Sequence, residues 1–485
     1  MRNVGLAVVA SVLIMQCGPV AKGDDPACVA GGPPTRESVL EAGLTTLRVL
    51  REIEQAYPAA LEDLRRLIDG TARSQLPADG SDLFAEFAAS DPLPREGDPF
   101  ANRGSYLHRR HGTGPPNRAA EAIVHGLGWL AAHQSPDGGW HLSEFDRWCD
   151  GVENTRPRPD GKGEAGHDVG VTGLALAAYL GMGYTWRGDR EHVRTVARAI
   201  GFLRAQQRED GGFSPRTTAD WILEDAFCAL AVVEAYGMTG QQSLRPVAQR
   251  ALDHLAAIRT PAGVWGCGWA PGPEDEHTTG WATLPFLSAC HVNQAFVAEG
   301  LMPPLPFDAE LLGTVAAWCE RWSDTAGGTF APRRPQTRLD TDSGTILTDS
   351  AIHLALPVLV RAEPPSPDAR ARMDGWLAAR TPSWTPESAR GNLSAWTFSA
   401  LAAYRLGGDA KKAWTSAFHV SDSVPTALLN GQAKAGTYCG DKGSWALVDP
   451  RWAPWGRVGS TALMTLLLES SWYRYPPLPD VPVPR

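Results

Sequence analysis

From His125 to Gly183 the chain carries two different hydrophobic patterns in succession. The first has apolar residues at helical spacing, Leu127, Leu130 and Ala131, beside polar positions, which predicts an amphipathic outer helix. It runs into Pro136–Gly139, a Pro-Asp-Gly-Gly turn followed at once by Trp140. A glycine pair stops a helix and reverses the chain tightly, because glycine tolerates positive φ. The second pattern, from about Val169 to Leu180, is nearly uncharged and rich in Ala, Gly and Leu. A helix apolar on every side predicts burial.

The pair of patterns recurs, and an internal repeat fixes the architecture before any single residue does. Later copies are Ala197–Phe213 with Ala226–Gly237, and Ala251–Trp265 with Thr279–Ala289. Thr325–Phe330 precedes the apolar run Ser350–Val360, a degenerate copy joins Trp376–Trp384 to Ala395–Gly407, and the last joins Gly440–Trp445 to Gly459–Ser470. Almost no strand is predicted. The expected fold is all-α, an α/α toroid of six helical hairpins over residues 117–475, with the inner helices walling a central funnel and the sixth hairpin closing on the first.

The repeats GLGWLAAHQSPDGGW and AIGFLRAQQREDGGF resemble the Gln-and-Trp-bearing repeats of squalene–hopene cyclases and protein prenyltransferase β subunits. The variants GHDVGVTGLALAAYLGMGY, EAYGMTG and GRVGSTALMTLLLESSWYRYPPL more closely resemble secreted bacterial proteins labelled prenyltransferase or squalene-oxidase repeat proteins, whose biochemical role is not established. The resemblance implies the toroid, but a fold does not fix an activity.

The remaining segments frame that domain. Residues 1–23 read as a signal peptide: an Arg, an apolar run Val4–Met15 too short to span a bilayer, then small residues at Ala21-Lys-Gly23. Export to the periplasm, cell surface or medium follows as an expectation. The alternative is a lipoprotein anchored through Cys17, the one route to a membrane, although Gln16 stands where a lipobox wants a small residue. Residues 24–116 read as a helical and loop extension, and residues 476–485 as an extended Pro-rich tail.

Hydrophobic residues make up 43% and charged residues 20%, which supports a large core rather than global disorder. The formal charge is −9 and no basic stripe occurs, so nucleic acid is not expected as a partner. The eight cysteines include Cys17; without the leader seven remain, so at least one is left free or intermolecular.

The family's chemistry is harder to find than its fold. The cyclase acid string Asp-x-Asp-Asp is missing; its nearest counterpart is Leu339-Asp-Thr-Asp-Ser343, most simply a solvated loop. Prenyltransferase zinc would need an Asp-x-Cys pair and a distant His, but Asp225 and Cys228 are three apart, so no metal is expected. No flavin fingerprint occurs, and no cofactor is expected. Cys439-Gly-Asp-Lys442 looks like a thioester motif, but Lys442 lacks the side-chain carbonyl that such a bond requires.

Aligning the inner helices on their Leu-Ala runs brings Asp168, Glu224 and Asp275 to equivalent places, with Asp225, His277 and Asp349 nearby and His167 before the first. Capping of free N–H groups is the plain reading. The functional one is an acidic, aromatic-lined mouth doing acid–base work or holding a polar ligand. The chain has 18 Trp against 9 Tyr and 13 Phe. Trp140, Trp265 and Trp445 fill the repeat's aromatic slot and are expected to wedge neighbouring hairpins. Trp269, Trp281, Trp452 and Trp455 do not, and are candidates for lining a ligand surface.

Two function classes follow. One is a non-catalytic exported toroid that binds a lipid, glycan or protein partner in its funnel. The other is an enzyme, either a divergent isoprenoid cyclase or a carbohydrate-active hydrolase or lyase using the funnel carboxylates. Ring closure adds one covalent expectation. Cys149, after the first turn, and Cys439, before the sixth, would meet at the seam and oxidise in an exported protein, with Cys267 as the competing partner. Such a bridge needs Cα atoms within about 7 Å.

Overall fold

In a computed structural model, the described residues are Phe100, Arg103, 118–155, 158–186, 192–268, 274–293, 304–322, 347–361, 367, 371, 393–411 and 427–469. The chain divides into two compact units, Met1–Leu76 and Pro77–Arg485, and every described residue belongs to the second. The leader, most of the extension, the Pro-rich tail, the Leu339–Ser343 string, Trp269 and Trp384 lie outside the described residues, as does the Asp349 side chain.

The expected buried helices are present. They are α2 (Asp168–Gly181), α4 (Trp221–Thr239), α6 (Glu276–Val292), α8 (Leu347–Val360), α9 (Leu393–Leu406) and α11 (Gly456–Glu469). In α2 every residue after Asp168 is buried, as its uncharged sequence requires. These six helices form a closed ring: α2 packs on α4, α4 on α6, α6 on α8, α8 on α9, α9 on α11, and α11 back on α2. Glycine sets the closest approach. A Cβ at Gly173 would stand 2.7 Å from the Cys228 main-chain nitrogen, so α2 and α4 touch backbone to backbone there.

Outside the ring lie α1 (Arg118–Ala132), α3 (Val193–Gln206), α5 (Arg245–Ala257), α7 (Glu310–Trp322) and the short α10 (Ala427–Gly431). The outer helix expected around Trp376–Trp384 is outside the described residues. The described β structure is small: Trp148–Cys149 (β1) pairs antiparallel with Val152–Glu153 (β2), and two isolated bridges join Gly266 to Glu274 and Gln432 to Trp445.

The repeat's turn explains how neighbouring units join. Gln134 donates from its amide to Gly138 O across its own turn (2.9 Å) and to Thr195 O at the start of α3 (2.9 Å). Gln207 does the same to Gly211 O (3.1 Å) and Val247 O of α5 (2.9 Å), and Gln432 to Gly443 O (2.8 Å) and Ala122 O of α1 (2.7 Å). The sixth unit is therefore clipped to the first as the first is to the second. Gly138, Gly211, Gly263 and Gly443 all have positive φ, at 95°, 91°, 79° and 94°. A Cβ at each would collide with the next outer helix, at Arg198, Arg250, Thr314 and His125 respectively. The turn thus needs glycine for its backbone and for its neighbour.

The aromatic slot works as expected. The indole N–H groups of Trp140, Trp265 and Trp445 donate to Leu130 O, Leu255 O and Leu428 O, each at 2.8 Å, tying the turn to its own outer helix. At the seam Cys149 and Cys439 form a disulfide with Cα atoms 5.4 Å apart. Cys228 and Cys290 are free thiols.

Candidate functional site

The turns also set the register of the inner helices. Trp140 N donates to Thr172 Oγ1, Trp265 N to Thr279 Oγ1 and Trp445 N to Thr461 Oγ1; in the second unit Phe213 N donates to Asp225 Oδ1 (2.6 Å). Asp225 therefore stands where the other units carry Thr. Asp168 and Asp275 are equivalent, each four residues before its Thr, but Glu224 is only one before Asp225. The alignment of Glu224 with Asp168 and Asp275 is corrected on this point. The Leu-Ala runs are too uniform to fix register, whereas the turn hydrogen bonds are specific.

The mouth carboxylates are engaged by protein donors. Asp168 accepts from Leu142 N (2.8 Å) and lies 2.9 Å from His141 Nδ1, while His141 Nε2 reaches Asp137 Oδ2 at 2.7 Å. Hydrogen bonds to Asp137 and Asp168 raise the His141 pKa to about 10. Burial works against the charge on Asp137, but the hydrogen bond and charge of His141, with backbone donors, together outweigh it and hold that carboxyl below its usual range. Asp225 also accepts from Ser214 N (2.7 Å) and meets His254 Nε2 (3.0 Å). Asp275 caps α6, accepting from the Thr278 amide (2.7 Å) and hydroxyl (2.6 Å). Glu224, fully buried, accepts from the Ser214 and Thr218 hydroxyls, both at 2.5 Å. His167 Nδ1 lies 3.0 Å from Glu224 Oε1, near enough for charge attraction. His277 meets the Ser394 hydroxyl at 2.6 Å.

Inside this mouth the ring is aromatic. Trp281 and Phe227 meet edge to face with centroids 4.9 Å apart, and Trp281 meets Phe398 at 5.3 Å. A 3-10 turn, Pro450–Trp455, brings Trp452 and Trp455 to 6.2 and 5.2 Å from Phe227. His167 approaches Trp455 (4.7 Å) and His277 approaches Trp452 (6.2 Å), which joins the polar mouth to the aromatic layer. Trp281, Trp452 and Trp455 are thus brought together, and all three are buried. Phe227 and Phe398, which complete the layer, were not among the residues the sequence suggested.

A polar layer follows deeper in the ring. Phe227, Trp281 and Phe398 are each followed seven positions later by a polar residue on the same helix: Glu234, Ser288 and Arg405. Seven residues are two helical turns, so these side chains share a face, about 10 Å further along the axis. Arg103, from the segment before α1, pairs with Glu234 through two bonds, Nη1 to Oε2 at 2.9 Å and Nη2 to Oε1 at 3.0 Å. The Ser288 hydroxyl adds a third at 2.9 Å. Phe100 seats this segment, packing against Gly237 and under the Arg103 guanidinium at 4.5 Å. Burial, with Arg405 and Arg103 nearby, lowers the pKa of His291 to about 3. At the end of α11, burial pushes the Glu469 carboxyl well up; the Arg103 charge opposes this and the Glu234 charge adds to it.

Among the described residues one group has ligand atoms close enough for a metal, Cys149, Asp150 and Cys439, but its two sulfurs are bonded to each other.

Comparison with known proteins agrees with this architecture. Residues 109–305 match the squalene-hopene cyclase C-terminal domain family. A drimenyl diphosphate synthase from Streptomyces showdoensis is 27% identical over 172 residues, which are 35% of this chain and only 27% of that enzyme. With its closed ring of inner helices, the chain has an α/α-toroid fold similar to that of terpenoid cyclases. Among solved structures it is similar to a type II terpene cyclase from Scytonema in complex with geranylgeranyl dihydroxybenzoate, with TM-score 0.39 and 13% identity, covering 73% of this chain and 97% of that one.

Proposed function

We propose that this protein binds an isoprenoid chain in the centre of its ring, against the aromatic layer of Phe227, Trp281 and Phe398. That layer is the observation that carries the reading. Three inner helices and the Pro450–Trp455 turn deliver five aromatic rings to one place, bordered by apolar helix faces. Such a surface suits a hydrocarbon, and its π faces favour polarisable or cationic segments. The match to the squalene-hopene cyclase C-terminal domain supports an isoprenoid rather than a glycan.

The first form of this reading is binding without chemistry. Asp168, Glu224, Asp225 and Asp275 are all used by turn amides, hydroxyls or histidines, so they act as structural acceptors. The similarity to a drimenyl diphosphate synthase favours a second form, in which the ring also cyclises its ligand. Export belongs to the proposal too. The apolar leader supports it, and so does the Cys149–Cys439 bridge, which suits an oxidising compartment.

Tryptophan fluorescence titration of the purified protein with farnesol and geranylgeraniol tests binding. Incubation with farnesyl and geranylgeranyl diphosphates, analysed by gas chromatography and mass spectrometry, tests turnover. Saturable quenching with no product supports the first form, and a cyclic product supports the second. The absence of any saturable quenching contradicts both.

A further inference from the structure

Isoprenoid binding by the aromatic layer makes no use of the unpaired polar groups inside the ring. Glu469 is fully buried at the end of α11, and neither carboxyl oxygen meets a hydrogen-bond partner. None of the charged groups around it donates a hydrogen bond to it. Arg103 is held by both oxygens of Glu234, which also accept from Ser288. His291 is neutral, and Arg405 donates through Nη2 to Arg361 O at 3.0 Å while its Nη1 is buried without an acceptor. Burial and the Glu234 charge keep the Glu469 proton in place against the pull of Arg103. A protonated carboxyl offers one O–H donor beside an acceptor oxygen. Leaving both unmatched in a dry interior is unfavourable, so this group destabilises the fold that contains it.

Two further donors share this condition. Trp281 Nε1 and Trp452 Nε1 are buried with no acceptor, and both indoles flank Phe227. Carbon and hydrogen alone satisfy none of the three groups. An oxygen atom in the ligand satisfies whichever of them it reaches.

Resting on the isoprenoid-binding reading, we propose that the ligand is an oxygen-bearing isoprenoid, and that Glu469 donates a hydrogen bond from its carboxylic acid to the ligand's oxygen. The chemistry recognised is an acceptor oxygen, as in an alcohol, ketone or epoxide.

The test titrates the full-length protein with two C20 probes, geranylgeraniol and the hydrocarbon phytane, both delivered from cyclodextrin and followed by tryptophan fluorescence. Wild type is expected to bind the alcohol about tenfold more tightly, the worth of one hydrogen bond. Glu469→Leu should bind phytane as wild type does and lose the preference for the alcohol. Glu469→Gln, which keeps an N–H donor, should retain most of it. Leu removes the unmatched polar atoms and Gln keeps a neutral group of the same size, so both variants should fold, with circular dichroism as the check. A Glu469→Leu protein that keeps the full preference overturns this proposal and leaves isoprenoid binding intact. A wild-type protein that binds neither probe overturns the binding reading itself, and this proposal with it.

Discussion

The Gln432 side-chain amide donates to the main-chain carbonyl of Ala122 at 2.7 Å, across a sequence separation of 310 residues. Gln134 and Gln207 make the same bond to the unit that follows each of them, Thr195 and Val247 respectively. One local motif therefore serves as both the link between neighbours and the lock of the ring. Removing this amide should affect the whole ring's stability rather than one turn. Gln432→Ala leaves two buried carbonyls short of a donor and is expected to cost about 1–3 kcal/mol, read as a lowered denaturant midpoint. Gly443→Ala should cost at least as much, since its φ of 94° and the His125 carbonyl both exclude a Cβ.

The Cys149–Cys439 bridge closes the same seam over 290 residues. On the chain-entropy account it stabilises the ring by roughly 4–5 kcal/mol, less any strain. Cys149→Ser, Cys439→Ser and the double variant should all lose a similar amount, because one bond is removed in each. Non-reducing peptide mapping checks the pairing directly. Recovery of both cysteines as free thiols would show that the seam is not covalent.

Acid should unfold the ring through its buried histidines. Burial lowers the pKa of His133 and His353 to about 4 and that of His291 to about 3, against about 6.5 in an unfolded chain. The unfolded state therefore binds more protons below pH 6.5. Stability should fall as pH drops from about 6.5 towards 3, then level off once the folded state is protonated too, with each histidine contributing at most roughly 3–5 kcal/mol. Neither ring nitrogen of His353 makes a hydrogen bond, with Nε2 3.9 Å from Glu276 Oε1, so His353→Gln should flatten the slope. His141 works in the opposite sense. Its pKa is raised to about 10, so its contribution is present below about 6.5 and fades as pH rises towards 10. Because the ring is partly exposed, that contribution is small.

Glu469 predicts a loss of stability on the alkaline side. Its folded pKa lies above the unfolded value, so the folded state holds the extra proton, and stability should decline as pH rises beyond the ordinary carboxyl range. Glu469→Gln should be more stable than wild type at pH 7 and lose this slope. Urea midpoints measured from pH 5 to pH 9 decide it.

The repeats were legible because their signals are local. Gln, Gly-Gly and an aromatic residue lie within seven positions, and each has a backbone task inside its own turn. The seam disulfide could be read from ring closure for the same reason. The register of Glu224 was not legible, since an inner helix apolar on every side carries no phase to align. The same uniformity hid Phe227 and Phe398, which look like core among other core residues. The spacing of 227 to 234, 281 to 288 and 398 to 405 was a usable signal, because Glu234 and Arg405 each end an uncharged run on its helix. Arg103 was beyond reach. It acts from the segment before α1, and nothing in its neighbourhood points to Glu234, 131 residues later.

The central claim is that the ligand lies inside the ring, and photo-crosslinking tests it most directly. A geranylgeraniol analogue with a diazirine at its hydrocarbon end would be irradiated with the purified protein, and the labelled peptides identified by mass spectrometry. The account predicts labelling of peptides from α4, α6 and α9, containing Phe227, Trp281 and Phe398, together with the Trp452–Trp455 turn. It also predicts that excess geranylgeraniol suppresses the labelling. Competable labelling confined to α1, α3, α5 or α7 would place the ligand on the outside of the ring and contradict the claim.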